Sequence, residues 1–294
     1  MSRIGVFLFP LPAVLLFVGF VAYPILWVID ESVLRQAPDS SSSAFVGLAN
    51  YAEVFRDPVF WRAAANMALW AAITIPVQML LGGLIAWFIE RHTTKLRPFF
   101  RTMFFLPVVT SVSVVSLVWV QIYAPYYGIA QAYLQDIGIT LTNSMLGSPS
   151  LAIYALIIVN VWQWTGFSML MYIAGIANLP EEILEAARVD GARGLKLAHA
   201  VVVPMLTPVT KSLLLLGIIG TLQTFPIVQL MTGGGPNHAS EVFGTDIFRQ
   251  SFVLGDMNVG ATLSVVVLLI AFVLTILQVV FLNTRLSGNP KPSR

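Results

Sequence analysis

Along this chain apolar residues come in runs long enough to cross a bilayer, separated by shorter polar stretches. Crossing a hydrocarbon core of about 30 Å takes roughly 20 residues. Six runs meet that length, near 5–29, 64–89, 99–123, 151–176, 210–230 and 258–283. The first exceeds the ~7–15 apolar residues of a secretory signal and lacks a small-x-small cleavage site before Asp30, so it predicts a retained helix. Pro10, Pro12, Pro24, Pro76 and Pro107 lie inside these runs and can bend them. No charged residue falls deep in any run, and no strong internal repeat is visible. The pattern predicts an all-α membrane protein of six transmembrane helices, a single domain over residues 1–294.

Composition agrees with that reading. Of 294 residues, 57% are hydrophobic and only 10% charged, too few to cover a water-soluble protein of this length. The net charge of +2 gives no argument for nucleic acid, so the placement of the basic residues matters more than their sum. With the N-terminus inside, one side of the membrane holds Arg3, Arg91, Lys95, Arg97, Arg101, Arg188, Arg193, Lys196, Lys211, Arg285, Lys291 and Arg294, and the other only Arg35, Arg56, Arg62 and Arg249. The positive-inside rule then predicts both termini and segment 177–209 to be cytoplasmic, with 30–63, 124–150 and 231–257 facing outward. Zero cysteines exclude disulfides, thiolate metal sites and cysteine nucleophiles.

The residues missing from the spans constrain mechanism. An ion-coupled transporter keeps a carboxylate, histidine or basic group inside the membrane, and none falls there. His92, His199 and His238 are scattered in loops or at their edges, which argues against a metal site or histidine-based catalysis. Uphill movement by this chain would need energy from a partner.

Segment 177–209 is where such a partner could act. Asn178-Leu-Pro-Glu-Glu-Ile-Leu-Glu-Ala-Ala-Arg-Val-Asp-Gly191 reads as a short helix, with Pro180 at an early helical position and Glu181 and Glu182 in the first turn, where they suit the dipole. Gly191 is its stop. Ile183, Leu184 and Ala187 form an apolar stripe. A membrane-surface helix would carry a basic polar face, whereas anionic lipid repels Glu181, Glu182 and Glu185, so docking on a protein is favoured.

The spacing within this segment is specific. Glu185-Ala186-Ala187, three residues, Gly191, nine residues, Val201, one residue and Val203-Pro204 resembles the EAA loop of the membrane subunits of ABC importers. Asp190-Gly191-Ala192 resembles the form common in the carbohydrate-uptake branch. Val201 and Val203 stand where Ile and Leu are usual, and Leu195 and Ala198 where large aromatics are common. Phe45-Val-Gly-Leu-Ala-Asn-Tyr51, with Asp57-Pro-Val-Phe60 and Asn66, resembles the first outer loop of maltose and glycerol-phosphate type permeases. Thr232-Gly-Gly-Gly-Pro236 resembles an element of the first of the two paired permeases. A glycine-rich phosphate cradle is the competing reading, but no Lys-Ser/Thr follows Gly235.

The resemblance implies the type I ABC importer permease fold in the cytoplasmic (inner) membrane of a prokaryote. It implies partners: a second permease, two cytosolic ATPase subunits and an extracytoplasmic substrate-binding protein. Glu185, Ala186, Ala187, Asp190, Gly191 and Ala192 would couple this chain to an ATPase. The chain itself would be non-catalytic and bind no cofactor, with ATP and Mg used by the ATPase subunits.

In that architecture the later spans line the path. Asn160, Trp164, Phe167 and Ser168 fall at i, i+4, i+7 and i+8, joining amide, hydroxyl and aromatic groups in one stripe, the mixture a sugar needs; helix packing is the competing reading. The fifth span adds Gly217, Thr221 and Thr224, with Gly220 and Gln223 beside them, and Pro226, which cannot donate to the Leu222 carbonyl. Ser113 and Ser264 are weaker candidates. A phosphate is normally met by fixed basic groups, which these faces lack. A neutral sugar or polyol is therefore favoured over glycerol 3-phosphate or a related phosphodiester, and both over a self-sufficient secondary transporter.

Overall fold

The computed structural model describes residues 9–36, 43–92, 95–138 and 144–283. Residues 5–8 of the first run, and Arg3, Arg285, Lys291 and Arg294 of the orientation argument, lie outside them. The first span is α1 (Leu11–Ser32). A π turn at Val18–Ala22 precedes Pro24, and this wider turn accommodates a residue that has no N–H for the ladder. A short antiparallel pair, β1 (Leu34–Gln36) and β2 (Ser43–Phe45), leads to α2 (Ala49–Arg56).

The second span is α3 (Pro58–His92), continuous through Pro76. At 35 residues it is ~52 Å long, so it overshoots the hydrocarbon at both ends. α7 (Ala152–Ala177) is the most buried long helix and packs along α3 and against the helix Arg97–Val109. The last span is α13 (Met257–Asn283), which runs beside α1.

Two of the six expected spans are not single helices. Residues 99–123 divide into α4 (Arg97–Val109) and α5 (Val112–Ile122), bent by 95° at Thr110 and Ser111, which are extended just after Pro107. The break leaves the Thr110 carbonyl outside any helix, and Gln163 Nε2 on α7 meets it at 3.5 Å. Residues 210–230 divide as well, into α10 (Thr207–Thr221) and α11 (Phe225–Met231), with Pro226 in the first turn of α11. Upstream, α9 (Leu195–Met205) meets α10 at 65°, so helical structure enters the segment expected to be loop. The described residues thus hold four helices long and apolar enough to cross a membrane, and six crossings when each bent pair is one. The β1–β2 pair is a small departure from an all-α chain.

Short helices complete the two ends: α6 (Ile129–Asp136) and α12 (Phe243–Phe248) on the side of α2, and α8 (Glu181–Val189) on the opposite side. One apolar cluster joins Val54, Phe60 and Trp70 to Val228, Phe243 and Leu263. A second joins Ile89, Met169 and Ile173 to Val202, Leu206 and Leu213. Between them, at mid-height of α3 and α7, the packing opens.

Candidate functional site

The opening is a cavity of about 390 Å³, within the range of small-molecule sites, walled by α3, α5, α7, α10 and α11. Asn160, Trp164, Phe167 and Ser168 on α7 line it, and so do Gly217, Thr221, Gln223 and Thr224 opposite. The chain brings together the two stripes that spacing suggested, Asn160, Trp164, Phe167 and Ser168 on one helix and Gly217, Thr221 and Thr224 on the other run, with Gln223, Gly220 and Pro226 beside them. Ser113, exposed on α5, and Ser264, whose hydroxyl donates to the Gly260 carbonyl at 2.9 Å, lie elsewhere.

The α7 wall is built by close helix approach. Gly82 on α3 lies against Ser168, so near that a Cβ there would meet Ser168 Cβ at 2.6 Å. Ser168 is consequently buried, and its part is packing as much as lining. One turn up, Gln78 Nε2 donates to Asn160 Oδ1 at 2.9 Å and to the Asn160 carbonyl at 3.2 Å. That pairing orients Asn160 and leaves its Nδ2 and Gln78 Oε1 without a protein partner among the described residues. Trp164 is 39% exposed and stands edge-on to Phe167, centroids 6.3 Å apart. Its indole N–H likewise has no hydrogen-bond partner among the described residues.

The facing wall is looser. Thr221 lies in α10 and spends its hydroxyl on the Gly217 carbonyl at 3.0 Å, the ordinary back-bond of a helical threonine. The i+7 spacing of Thr224 presumed a continuous helix, but α10 stops at Thr221. The break carries Thr224 into the wall instead, at the start of α11. Leu222 N–H and Gln223 N–H close onto the Ile219 and Gly220 carbonyls. Gln223 is exposed at this turn, and beside Gly220 there is open space.

Trp70, Thr74, Gln78 and Gln163 also line the cavity and were not among the expected residues. Their signal was in the sequence: Thr74 and Gln78 are polar at i and i+4 inside an apolar run. Gln163 is buried, and its Oε1 has no partner among the described residues. Among the described residues no Asp, Glu, Lys, Arg or His contributes to the lining.

The second candidate element is α8, with Pro180 extended as its N-cap rather than inside it. Glu181, Glu182, Glu185 and Ala186 are exposed and Ala187 half-buried. Gly191 has φ +81°, a conformation that a residue with a Cβ adopts only under strain. Around it Gly191 N–H donates to the Arg188 carbonyl at 3.1 Å and Ala192 N–H to the Ala187 carbonyl at 2.9 Å, a Schellman closure with Ala192 buried beneath it. Asp190 is exposed at the turn.

At the opposite end the Thr232–Pro236 loop is held from below. Asn66 Nδ2 donates to the carbonyls of Ala239 and Glu241, Arg62 to that of Asn237, and Ser240 Oγ to that of Gly235. His238 contacts the buried carboxylate of Glu241 at 2.5 Å, and Arg249 contacts buried Asp246 at 2.6 Å. Burial pushes the Asp246 carboxyl above its ordinary range; Arg249 opposes this, while Glu241 and Asp57 add to it. Neither acid was marked by its sequence pattern as buried.

Comparison with known proteins adds what geometry cannot. The family described as binding-protein-dependent transport system inner membrane component matches residues 78–287. The probable ABC transporter permease protein YurN of Bacillus subtilis is 36% identical over 285 residues, 96% of this chain and 97% of that protein. The arabinooligosaccharides transport permease AraP of the same organism is 31% identical, covering 97% and 89%. The sn-glycerol-3-phosphate transport permease UgpA of Agrobacterium fabrum is 28% identical, covering 97% and 96%. Among solved structures, a bacterial ABC transporter involved in the import of the acidic polysaccharide alginate superposes with a TM-score of 0.83 at 21% identity, covering 97% of this chain and 96% of that one.

Proposed function

Because this chain belongs to the binding-protein-dependent transport inner membrane component family, we propose that its central cavity is half of the translocation path for a neutral saccharide or polyol. One observation carries this: an uncharged lining in which Asn160, Gln78, Gln163, Gln223 and the Trp164 indole offer polar atoms beside the faces of Trp164 and Phe167. Sugar hydroxyls both donate and accept, and the apolar side of a sugar ring suits an aromatic face. AraP is named for such a substrate and UgpA for a phosphate ester, so relatives alone leave two readings. A phosphate of about two negative charges would enter this wall with no cation among the described residues to meet it.

The same reading assigns energy to partners. A substrate-binding protein delivers the saccharide from outside, and a second permease completes the path. Two ATPase subunits hydrolyse Mg-ATP on the side of α8, while this chain holds no cofactor and catalyses nothing. α8 docks by Glu181, Glu182, Glu185, Ala186 and Ala187, and the Asp190-Gly191-Ala192 turn sets its angle. The Lys/Arg-rich end is then cytoplasmic, together with both termini, in the inner membrane of a prokaryote.

Reconstitution with those partners in liposomes tests the assignment. Labelled neutral saccharide should accumulate only with ATP and binding protein, and excess glycerol 3-phosphate should not compete. Uptake without ATP, or glycerol 3-phosphate as the transported species, would contradict it.

A further inference from the structure

A second large cavity, of about 490 Å³, opens at the Lys/Arg-rich end between α8 and the ends of α3 and α7. Its floor is apolar, with Leu179, Leu184 and Leu197 among its walls. Its rim carries the guanidinium groups of Arg91, Arg188 and Arg193, all exposed. None of the three has a carboxylate partner among the described residues. Glu90, the acid in the lining, is already paired with Arg97 at 3.3 Å and Arg101 at 2.6 Å. Arg91 rests over Trp87, 5.4 Å from the ring centroid, in the last turn of α3. A tryptophan and an arginine at the end of a spanning helix mark the depth of the lipid headgroups.

We propose that this cavity holds an acidic phospholipid of the surrounding bilayer, its phosphate among Arg91, Arg188 and Arg193 and an acyl chain against the leucines. Guanidinium groups meet phosphate oxygens two at a time, and basic pockets between spanning helices at a membrane surface suit anionic headgroups. A free anion would leave the apolar floor wet, whereas an acyl chain covers it. An acidic side chain of a docked protein is the less fitting occupant, because Glu181, Glu182 and Glu185, which offer α8 to a protein, do not line the cavity. Lipid here would wedge α8 against α3 and fix its height over the bilayer.

Two measurements on the purified full chain test this. Native mass spectrometry with dioleoyl phosphatidylglycerol or dioleoyl phosphatidylcholine should find retained adducts of the first only, weakened more than about tenfold in the Arg188→Gln/Arg193→Gln variant. The Lys196→Gln/Lys211→Gln variant, altered at the same end but outside the cavity, should keep them. Equal loss in both variants would reduce the effect to diffuse surface charge, and displacement by millimolar inorganic phosphate would make the site one for soluble anions. Either result overturns the proposal. Where the arginine variant fails to fold, tryptophan quenching decides: brominated phosphatidylglycerol should quench wild type more than Trp87→Phe, and brominated phosphatidylcholine should not. Equal quenching by the two lipids, or none attributable to Trp87, would contradict the proposal. Neither readout depends on what the central cavity transports.

Discussion

Glu241 and Asp246 at one end of the bundle and the three glutamates of α8 at the other are treated in opposite ways. At the end of α2 and α12, Glu241 and Asp246 are each 1% exposed and tied to His238 and Arg249. Around them Asn66, Asn258 and Thr262 stitch loop to helix: Asn258 Nδ2 donates to the Glu31 carbonyl, and the Thr262 hydroxyl donates to that of Ser32. On α8 the three glutamates are exposed and make no ion pair among the described residues. A buried charge must be satisfied by its own chain, while an exposed one is free for a partner. The first end is therefore a cap whose buried acids are held within the chain, and α8 is a surface whose acids are offered outward.

The largest expected effect breaks the cap. Arg249→Gln removes the cation that pairs with buried Asp246 and opposes its protonation, and should cost about 3–5 kcal/mol, read as a fall in unfolding temperature in detergent. The pH dependence has a definite sign. Burial raises the Asp246 pKa above 3.8, so the folded state holds this proton more tightly than the unfolded chain. Its contribution is greatest below the unfolded value and is lost as pH rises through the raised folded value. Without Arg249 the folded value rises further, and the destabilisation should grow as pH rises above the ordinary carboxylate range. A pH-independent loss would mean that Arg249 acts by packing alone.

Gly191→Val should cost about 1 kcal/mol locally, because valine resists φ +81°, and should leave the membrane helices intact. Its consequence is functional: ATP hydrolysis by the assembled complex should no longer respond to substrate. Wild-type stimulation in that variant would remove the turn from coupling. Smallest in stability is Glu181→Gln/Glu182→Gln/Glu185→Gln, expected within about 1 kcal/mol of wild type because these charges make no ion pair among the described residues and favour only the dipole of α8. Pull-down of the ATPase subunit by the variant should nevertheless weaken. A stability loss as large as that of Arg249→Gln would erase the contrast between the two ends.

Much of this arrangement was legible in the residues. Apolar run length gave the spans, and the i, i+4, i+7 pattern of Asn160, Trp164 and Phe167 survives because α7 is one unbroken helix. Where helices break, periodicity misleads: the 95° bend after Pro107 and the stop at Thr221 depend on how other helices receive the freed backbone groups. Gln163, near the Thr110 carbonyl, belongs to that tertiary answer. The partners of Glu241 and Asp246, His238 and Arg249, stand only three residues away in sequence, but the burial of the two acids comes from helices packed over them and has no local signal. Gln78 had a local signal, a polar amide in an apolar run, but its partner Asn160 lies on another helix.

The cavity between the two ends is the centre of this account, and the cysteine-free sequence permits a direct test. Single cysteines at Trp164, Phe167, Gly220 and Gln223 should react with small water-soluble thiol reagents in the assembled transporter. Neutral saccharide with its binding protein should slow the reaction at these positions. Cysteines at Tyr154 and Ile158, exposed on α7 but outside the cavity lining, should stay unreactive within lipid. Labelling at 164 and 223 that saccharide leaves unchanged, or no labelling there at all, would contradict a substrate path between these two walls.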